Sequence, residues 1–288
     1  MRNTATNLTS VERLGRFSGT VFSIMCLLLL AGSACAQSTV DTSWAVLRAG
    51  FVDKAVGDRA AAVRLLGLLE NNPKAAEFAL RALADQKSEV RTAAAQALGN
   101  MKAKSALPQL RELAKTEEDP AAIMACARAL IALGDPLGYN VYYAVLTGER
   151  KAGGDLLDAQ KKMLSDPKKM AQFGFEQGIG FVPFGGIAYG AFKVVTKDDT
   201  SPVRAAAADI LAQDPDPKSG IALVTAASDQ SWVVRAAALA AISQREDPSL
   251  LPRVEPKLKD EKEVVRYAAA AAIIHLYDVK AGNSRAGR

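Results

Sequence analysis

An acid stands six positions before an arginine at Asp53/Arg59, Asp85/Arg91, Asp198/Arg204, Asp229/Arg235 and Asp260/Arg266. A sixth copy, Glu117/Ile123, keeps the acid and lacks the arginine. The acids are spaced by 32, 32, 81, 31 and 31 residues. Two positions after the arginine column stand Ala61, Ala93, Ala125, Ala206, Ala237 and Ala268. Three after stand Ala62, Ala94, Cys126, Ala207, Ala238 and Ala269, and seven after stand Leu66, Leu98, Leu130, Leu211, Ile242 and Ile273. A period of 31–32 residues is that of a stacked array, in which each unit buries its apolar face only against its neighbours.

The register inside each unit is helical. In the clearest copies Val90, Val203, Val234 and Val265 precede the arginine. Counted from that valine, the apolar sites fall at i, i+3, i+4 and i+8, one stripe of an α-helix turned inward. Alanine in the stripe lets backbones approach closely, and the later Leu or Ile fills the far end. The expected fold class is therefore all-α, a solenoid of antiparallel helix pairs. The acid falls in the turn before the helix, where a carboxylate suits the positive helix end and its unpaired N–H groups. The arginine of the first turn can pair with that acid or with its copy in the next unit. Exposed pairs contribute about 0–1 kcal/mol each, so such a ladder sets register more than stability.

The pattern resembles HEAT repeats, in the short-repeat, lyase-type bacterial branch. The residues that carry the resemblance are Val90-Arg91 with Ala97-Leu98-Gly99, Val203-Arg204, Val234-Arg235 and Val265-Arg266, over roughly 41–147 and 198–276. The resemblance implies a scaffold and names no chemistry, because that family is defined by its fold. Lyase-type relatives that attach pigments to proteins imply an enzyme, or a chaperone for a cofactor-bearing protein, as one alternative.

Residues 1–36 have the order of a secretory signal: Arg2, Arg13 and Arg16, the apolar run 21–31, then Ala34-Cys35-Ala36. The run is shorter than the ~20 residues that span a bilayer. Cleavage after Ala36 would leave Gln37 first, in an exported periplasmic or secreted protein. Cys35 after small residues opens a second reading, a membrane-anchored lipoprotein. Removing 1–36 takes away three basic residues and one acid, leaving 33 against 30. That near balance, with export, argues against a nucleic-acid partner. Cys126 would then be the one cysteine left, at an alanine-type core position, so disulfides do not staple the fold.

Residues 37–147 and 198–276 are thus read as two blocks of repeats, followed by a flexible tail over 277–288. A first helix within 41–55 caps the array with its outer face. Further helices are expected at 58–69, 74–84, 88–99, 104–115, 118–133 and 136–147. The second block adds 201–212, 218–227, 231–243, 248–258 and 262–276. Between the blocks, 148–197 breaks the period: the gap of 81 exceeds two periods by 17–19 residues. Within it, 173–192 holds six glycines and six aromatics, Phe181 and Phe184 among them. It reads as a degenerate repeat, a ligand-contacting loop or a membrane-contacting segment.

No catalytic constellation, metal site or cofactor site is expected. His275 is the only histidine; without a second His or paired Cys it is a poor metal ligand and a base without a nucleophile, expected in surface or helix-end packing. Candidate partner-binding residues are Trp232, three before its arginine; Tyr267, large among alanines; Arg64 and Arg128, five after the arginine column on the side away from the stripe; and Phe181 and Phe184. The expected function is a non-catalytic scaffold or adaptor that binds another protein in the cell envelope. The alternative is membrane association through Cys35 or 173–192.

Overall fold

Short polar turns alternate with alanine-rich segments, and helix follows helix in the computed structural model, which describes residues 37–147 and 200–282. The chain falls into two units, 1–41 and 42–288. In the first, residues 37–41 are helical, and Gln37 Nε2 donates to Asp41 Oδ1 at 3.3 Å. The second unit carries the repeats. Residues 42–51 form α1. Then come α2 (Val56–Leu65), α3 (Pro73–Ala82), α4 (Ser88–Asn100), α5 (Leu107–Thr116), α6 (Pro120–Ala132) and α7 (Leu137–Thr147). After the undescribed stretch follow α8 (Ser201–Ala212), α9 (Pro217–Ala226), α10 (Trp232–Gln244), α11 (Leu251–Val254) and α12 (Glu263–Lys280). No strand occurs among the described residues.

The helices form two layers. α2, α4, α6, α8, α10 and α12 pack side by side as an inner row, and the others lie outside it, each against its own partner. Proline at the first helical position starts α3, α6 and α9, where its missing N–H costs nothing. Asn72 and Asp119 cap α3 and α6 by accepting from Ala75 N and Ala122 N. Gly134, at φ +81°, ends α6. The expected single helix over 248–258 is corrected: α11 is four residues long between two 3-10 turns, because Pro252 and Pro256 remove backbone donors. The expected flexible tail at 277 is also corrected. α12 runs on to Lys280, held by Tyr277 Oη donating to Glu255 at 3.1 Å and Asn72 Nδ2 donating to Asp278 at 2.9 Å. Residues 283–288 lie outside the described ones.

The arginine column makes a ladder with two bonds per rung. Four of the five guanidinia fork onto the acid of the next repeat. Arg59 reaches Asp85 at 3.3 Å, and Arg91 reaches Glu117 at 2.6 and 2.8 Å. Arg204 reaches Asp229 at 3.1 and 3.0 Å, and Arg235 reaches Asp260 at 2.9 and 2.8 Å. The remaining nitrogen donates to the carbonyl of the repeat's own acid, at Asp53, Asp85, Asp229 and Asp260. Each acid also closes its turn by accepting the N–H two residues on, at Ala55, Lys87, Asp119, Ser231 and Lys262. Burial pushes the Asp85, Glu117, Asp229 and Asp260 carboxyls up, but the arginine and the turn N–H together hold them below their ordinary values. Asp198 lies outside the described residues. Ile123, in the copy without arginine, is fully buried; there Arg111 of α5 pairs with Asp135 instead.

The two blocks are not laid end to end in chain order. α12, from the second block, packs against α2, from the first. The inner row therefore runs α8, α10, α12, α2, α4, α6. The turn Leu66–Leu68 that continues α2 touches both α12 and α10. Gly50 of α1 makes the junction possible. A Cβ there would lie 2.6 Å from Ala62 Cβ and 2.8 Å from the Tyr267 ring. The cap expected at α1 is thus corrected, since the first repeat is internal to the row. The fork is missing at this joint: among the described residues Arg266 pairs with Glu263 of its own helix, at 2.6 Å.

The alanine stripe is buried in five of the six copies and fails in one. Ala93 is fully buried and Ala237 half-buried, but Ala206 and Ala207 of α8 are exposed. Val203 and Ile210 beside them are 71% and 74% exposed, against 1% for Val90 and Val234. At 100° per residue these four share the side on which every other inner helix receives the preceding repeat. No described element lies against that side of α8, and residues 148–199 lie outside the described ones.

The rungs differ in exposure, so their mutational costs should differ. Arg235 and Asp260 are 8% and 9% exposed, whereas Arg204 is 45% exposed. Arg235→Ala should cost about 2–4 kcal/mol in urea unfolding, because it strands a buried carboxylate. Arg204→Ala should cost under about 1 kcal/mol. Equal costs would mean the ladder works by some route other than desolvated pairing.

Candidate functional site

The inner helices turn one side to the outer layer and the opposite side away from it. On a helical wheel the outward core is set by Leu66, Leu98, Leu130, Ile242 and Ile273, all fully buried. The opposite side is centred on the column five after the arginine. In row order that column reads Asp209, Ala240, Ala271, Arg64, Gln96, Arg128. Ala240 and Ala271 are buried even here, and the four polar residues are half-buried. The inner face is thus lined by buried alanine at α10 and α12, and by half-buried polar residues at α8 and over α2, α4 and α6.

Arg64 and Arg128 both lie on this face, with Gln96 between them. Arg64 Nε donates to Gln96 Oε1 at 3.2 Å, the bond that ties α2 to α4 along the column. Burial pushes the Arg64 guanidinium below its ordinary value, and Glu89 of α4 offsets this in part. At the far end burial pushes the Asp209 carboxyl up. A parallel bond, Gln213 Nε2 to Gln244 Oε1 at 3.2 Å, ties α8 to α10.

The other candidates go elsewhere. Trp232 is half-buried and packs on Ala205 and Val233 at the α8–α10 contact, which is the inter-repeat packing that its position also allowed. Tyr267 is 3% exposed. It fills the α12–α2 joint against Gly50, so it is corrected from a surface residue to a packing one. Phe181 and Phe184 lie outside the described residues. His275 is buried near the end of α12, its Nε2 3.9 Å from Glu246 Oε1, and burial pushes its pKa down. Among the described residues no group of three His, Cys, Asp or Glu side chains could hold a metal ion.

Sequence reasoning put Gln96 on this face without singling it out as a candidate, and missed Thr92 and Gly50. The spacing of Gln96 at the Arg64 column was visible. What the spacing could not show is that a glycine before the first repeat receives a tyrosine from the last one.

The comparisons with known proteins agree with this geometry. The profile of HEAT repeats matches residues 45–136 and 190–274. The chain belongs to the HEAT-repeat family. Its second match starts at 190, within the stretch expected to break the period. No curated protein matches the chain. Among solved structures, human deoxyhypusine hydroxylase in complex with glycerol is similar at 18% identity, over 85% of this chain and 98% of that one. Its TM-score is 0.32, too loose a likeness to bear on the activity of this HEAT-repeat chain.

The joint between the two HEAT blocks carries a titrating group. Burial, then the nearby charges of Asp53, Asp58 and Glu263, push the Tyr267 phenol up from 10.0 to about 12, against Arg266. A phenol kept neutral by folding contributes stability that is complete below pH 10 and is lost as pH rises through about 12. Urea midpoints of the wild type should therefore fall between those values, and Tyr267→Phe should flatten the fall. An identical alkaline slope in Tyr267→Phe would remove Tyr267 from the account.

Proposed function

We propose that this HEAT-repeat chain is an exported, non-catalytic scaffold that binds another protein along its inner face in the cell envelope. The observation that carries the reading is the single inner face shared by both blocks. Because α12 packs on α2, the six inner helices offer one surface instead of two. A continuous helical surface is what stacked repeats use to bind extended partners. The polar half of the column, Arg64 to Arg128, offers orientation. Export rests on residues 1–36, whose basic, apolar and small-residue order is that of a secretory signal.

A membrane-anchored form is the second reading, and Cys35 after Gly32-Ser33-Ala34 is the feature that favours it. Among the described residues no helix is long and apolar enough to cross a membrane. Any anchor would therefore come from outside them.

Two measurements test the proposal. Mass spectrometry of the purified N-terminus should find Gln37 first. A diacylated Cys35 would replace the soluble form by the anchored one, and retention of Met1 would remove export. Photo-crosslinking residues placed at Asn100 or Gln213, both exposed on the inner side, should capture the same protein from envelope fractions. One placed at Glu112, exposed on outer helix α5, should not. Equal capture from both sides, or none from the inner one, would contradict a partner seated on the inner face.

A further inference from the structure

The geometry points to Arg64 as the anchor of a carboxylate-binding site on the inner face, whose occupant is a short acidic segment of the bound protein. The inference rests on the protein-binding reading above and deepens it by naming the partner's chemistry.

Arg64 differs from the arginines of the ladder and from Arg245, while Arg48 and Arg253, which also lack a carboxylate among the described residues, are exposed. Arg59, Arg91, Arg111, Arg204, Arg235 and Arg266 each end on a carboxylate. Arg245 ends on the carbonyls of Leu211, Asp214 and Asp216. Arg64 is half-buried, and its one hydrogen bond among the described residues is from Nε to a neutral amide oxygen. Its Nη1 and Nη2 have no acceptor there. A half-buried guanidinium whose two Nη groups have no protein acceptor is matched best by a paired fork onto a carboxylate.

The surroundings supply further donors. Gln96, oriented by accepting from Arg64, has no described acceptor for its own amide nitrogen. Thr92 lies one turn before Gln96 on the same side of α4, and its hydroxyl is buried without a hydrogen-bond partner among the described residues. Arg128 follows Gln96 in the column and adds a second positive charge. Glu89 is the one carboxylate felt at Arg64; it reduces the charge of the site without forming a salt bridge to it. At the other end of the row the same column carries Asp209. An acidic stretch covering the whole face would meet it, so the complementary stretch is short.

The test uses the mature chain and fluorescein-labelled deca-glutamate, with deca-lysine as the control, read by fluorescence anisotropy. Wild type should bind deca-glutamate and not deca-lysine. Arg64→Gln should weaken binding about tenfold, the scale of one charge-assisted pair, with its melting transition retained. Arg64→Lys keeps the charge and loses the fork, so it should fall between the two, and it carries the test if Arg64→Gln does not fold. No binding by the wild type, or equal binding by Arg64→Gln and wild type, would overturn the site. Tighter binding of inorganic phosphate than of the peptide would assign it to a free anion and also overturn it. Photo-capture of one protein by both wild type and Arg64→Gln in equal yield would sink this inference while leaving the scaffold reading. Deca-glutamate binding without any inner-face capture would do the reverse.

Discussion

Every inner helix in this protein sits at the distance that alanine permits. Gly99 shows how little room there is: a Cβ on it would lie 3.0 Å from the Ala129 backbone of the next helix. At such spacing dispersion contacts are numerous but have no intrinsic register, since one alanine resembles another. The arginine fork supplies the register. It joins the first turn of one helix to the turn before the next, and it holds its own turn through a carbonyl. Sliding the helices by one turn would break both bonds and leave desolvated charge behind. Small residues set the distance, and the forks set the alignment.

The joint between the blocks is made by different means. No fork crosses it, and Arg266 turns back to Glu263. Tyr267 takes over by filling the space that Gly50 leaves beside Ala62. Asn72 and Asp278 close the far end of the contact with a hydrogen bond between residues 206 positions apart. The consequence is functional as well as architectural. Because the last repeat abuts the first, the buried alanines of α10 and α12 meet the polar half of the column at the joint, where Arg64 of α2 follows Ala271 of α12.

Much of this was legible in the sequence. The acid-to-arginine spacing located the helices and their buried stripe, and it left the arginine two partners, its own acid or the next repeat's, of which Arg235 takes the second in Asp260. It was legible because both features are local and periodic. What the spacing could not reveal is order in space. A one-dimensional repeat implies that neighbours in sequence are neighbours in the stack, and α12 on α2 breaks that rule. Tyr267 therefore looked like a surface residue among alanines, when it is a core residue for a contact 200 positions away in the chain. Trp232 was open to two readings, since its column holds Val56, Ser88, Pro120, Ser201 and Glu263 in the other copies; here it covers Ala205 of the preceding helix. The exposed stripe of α8 was unreadable too, since the spacing treats all six copies alike.

The account stands on the last repeat lying against the first. Spin labels on cysteines replacing Asn72 and Asp278 report this contact directly, each single-label protein serving as the reference. Their spectra should show strong dipolar broadening in the folded, dilute monomer and lose it in denaturant. Double-label spectra that equal the sum of the two single-label ones would place the blocks apart and contradict the shared inner face.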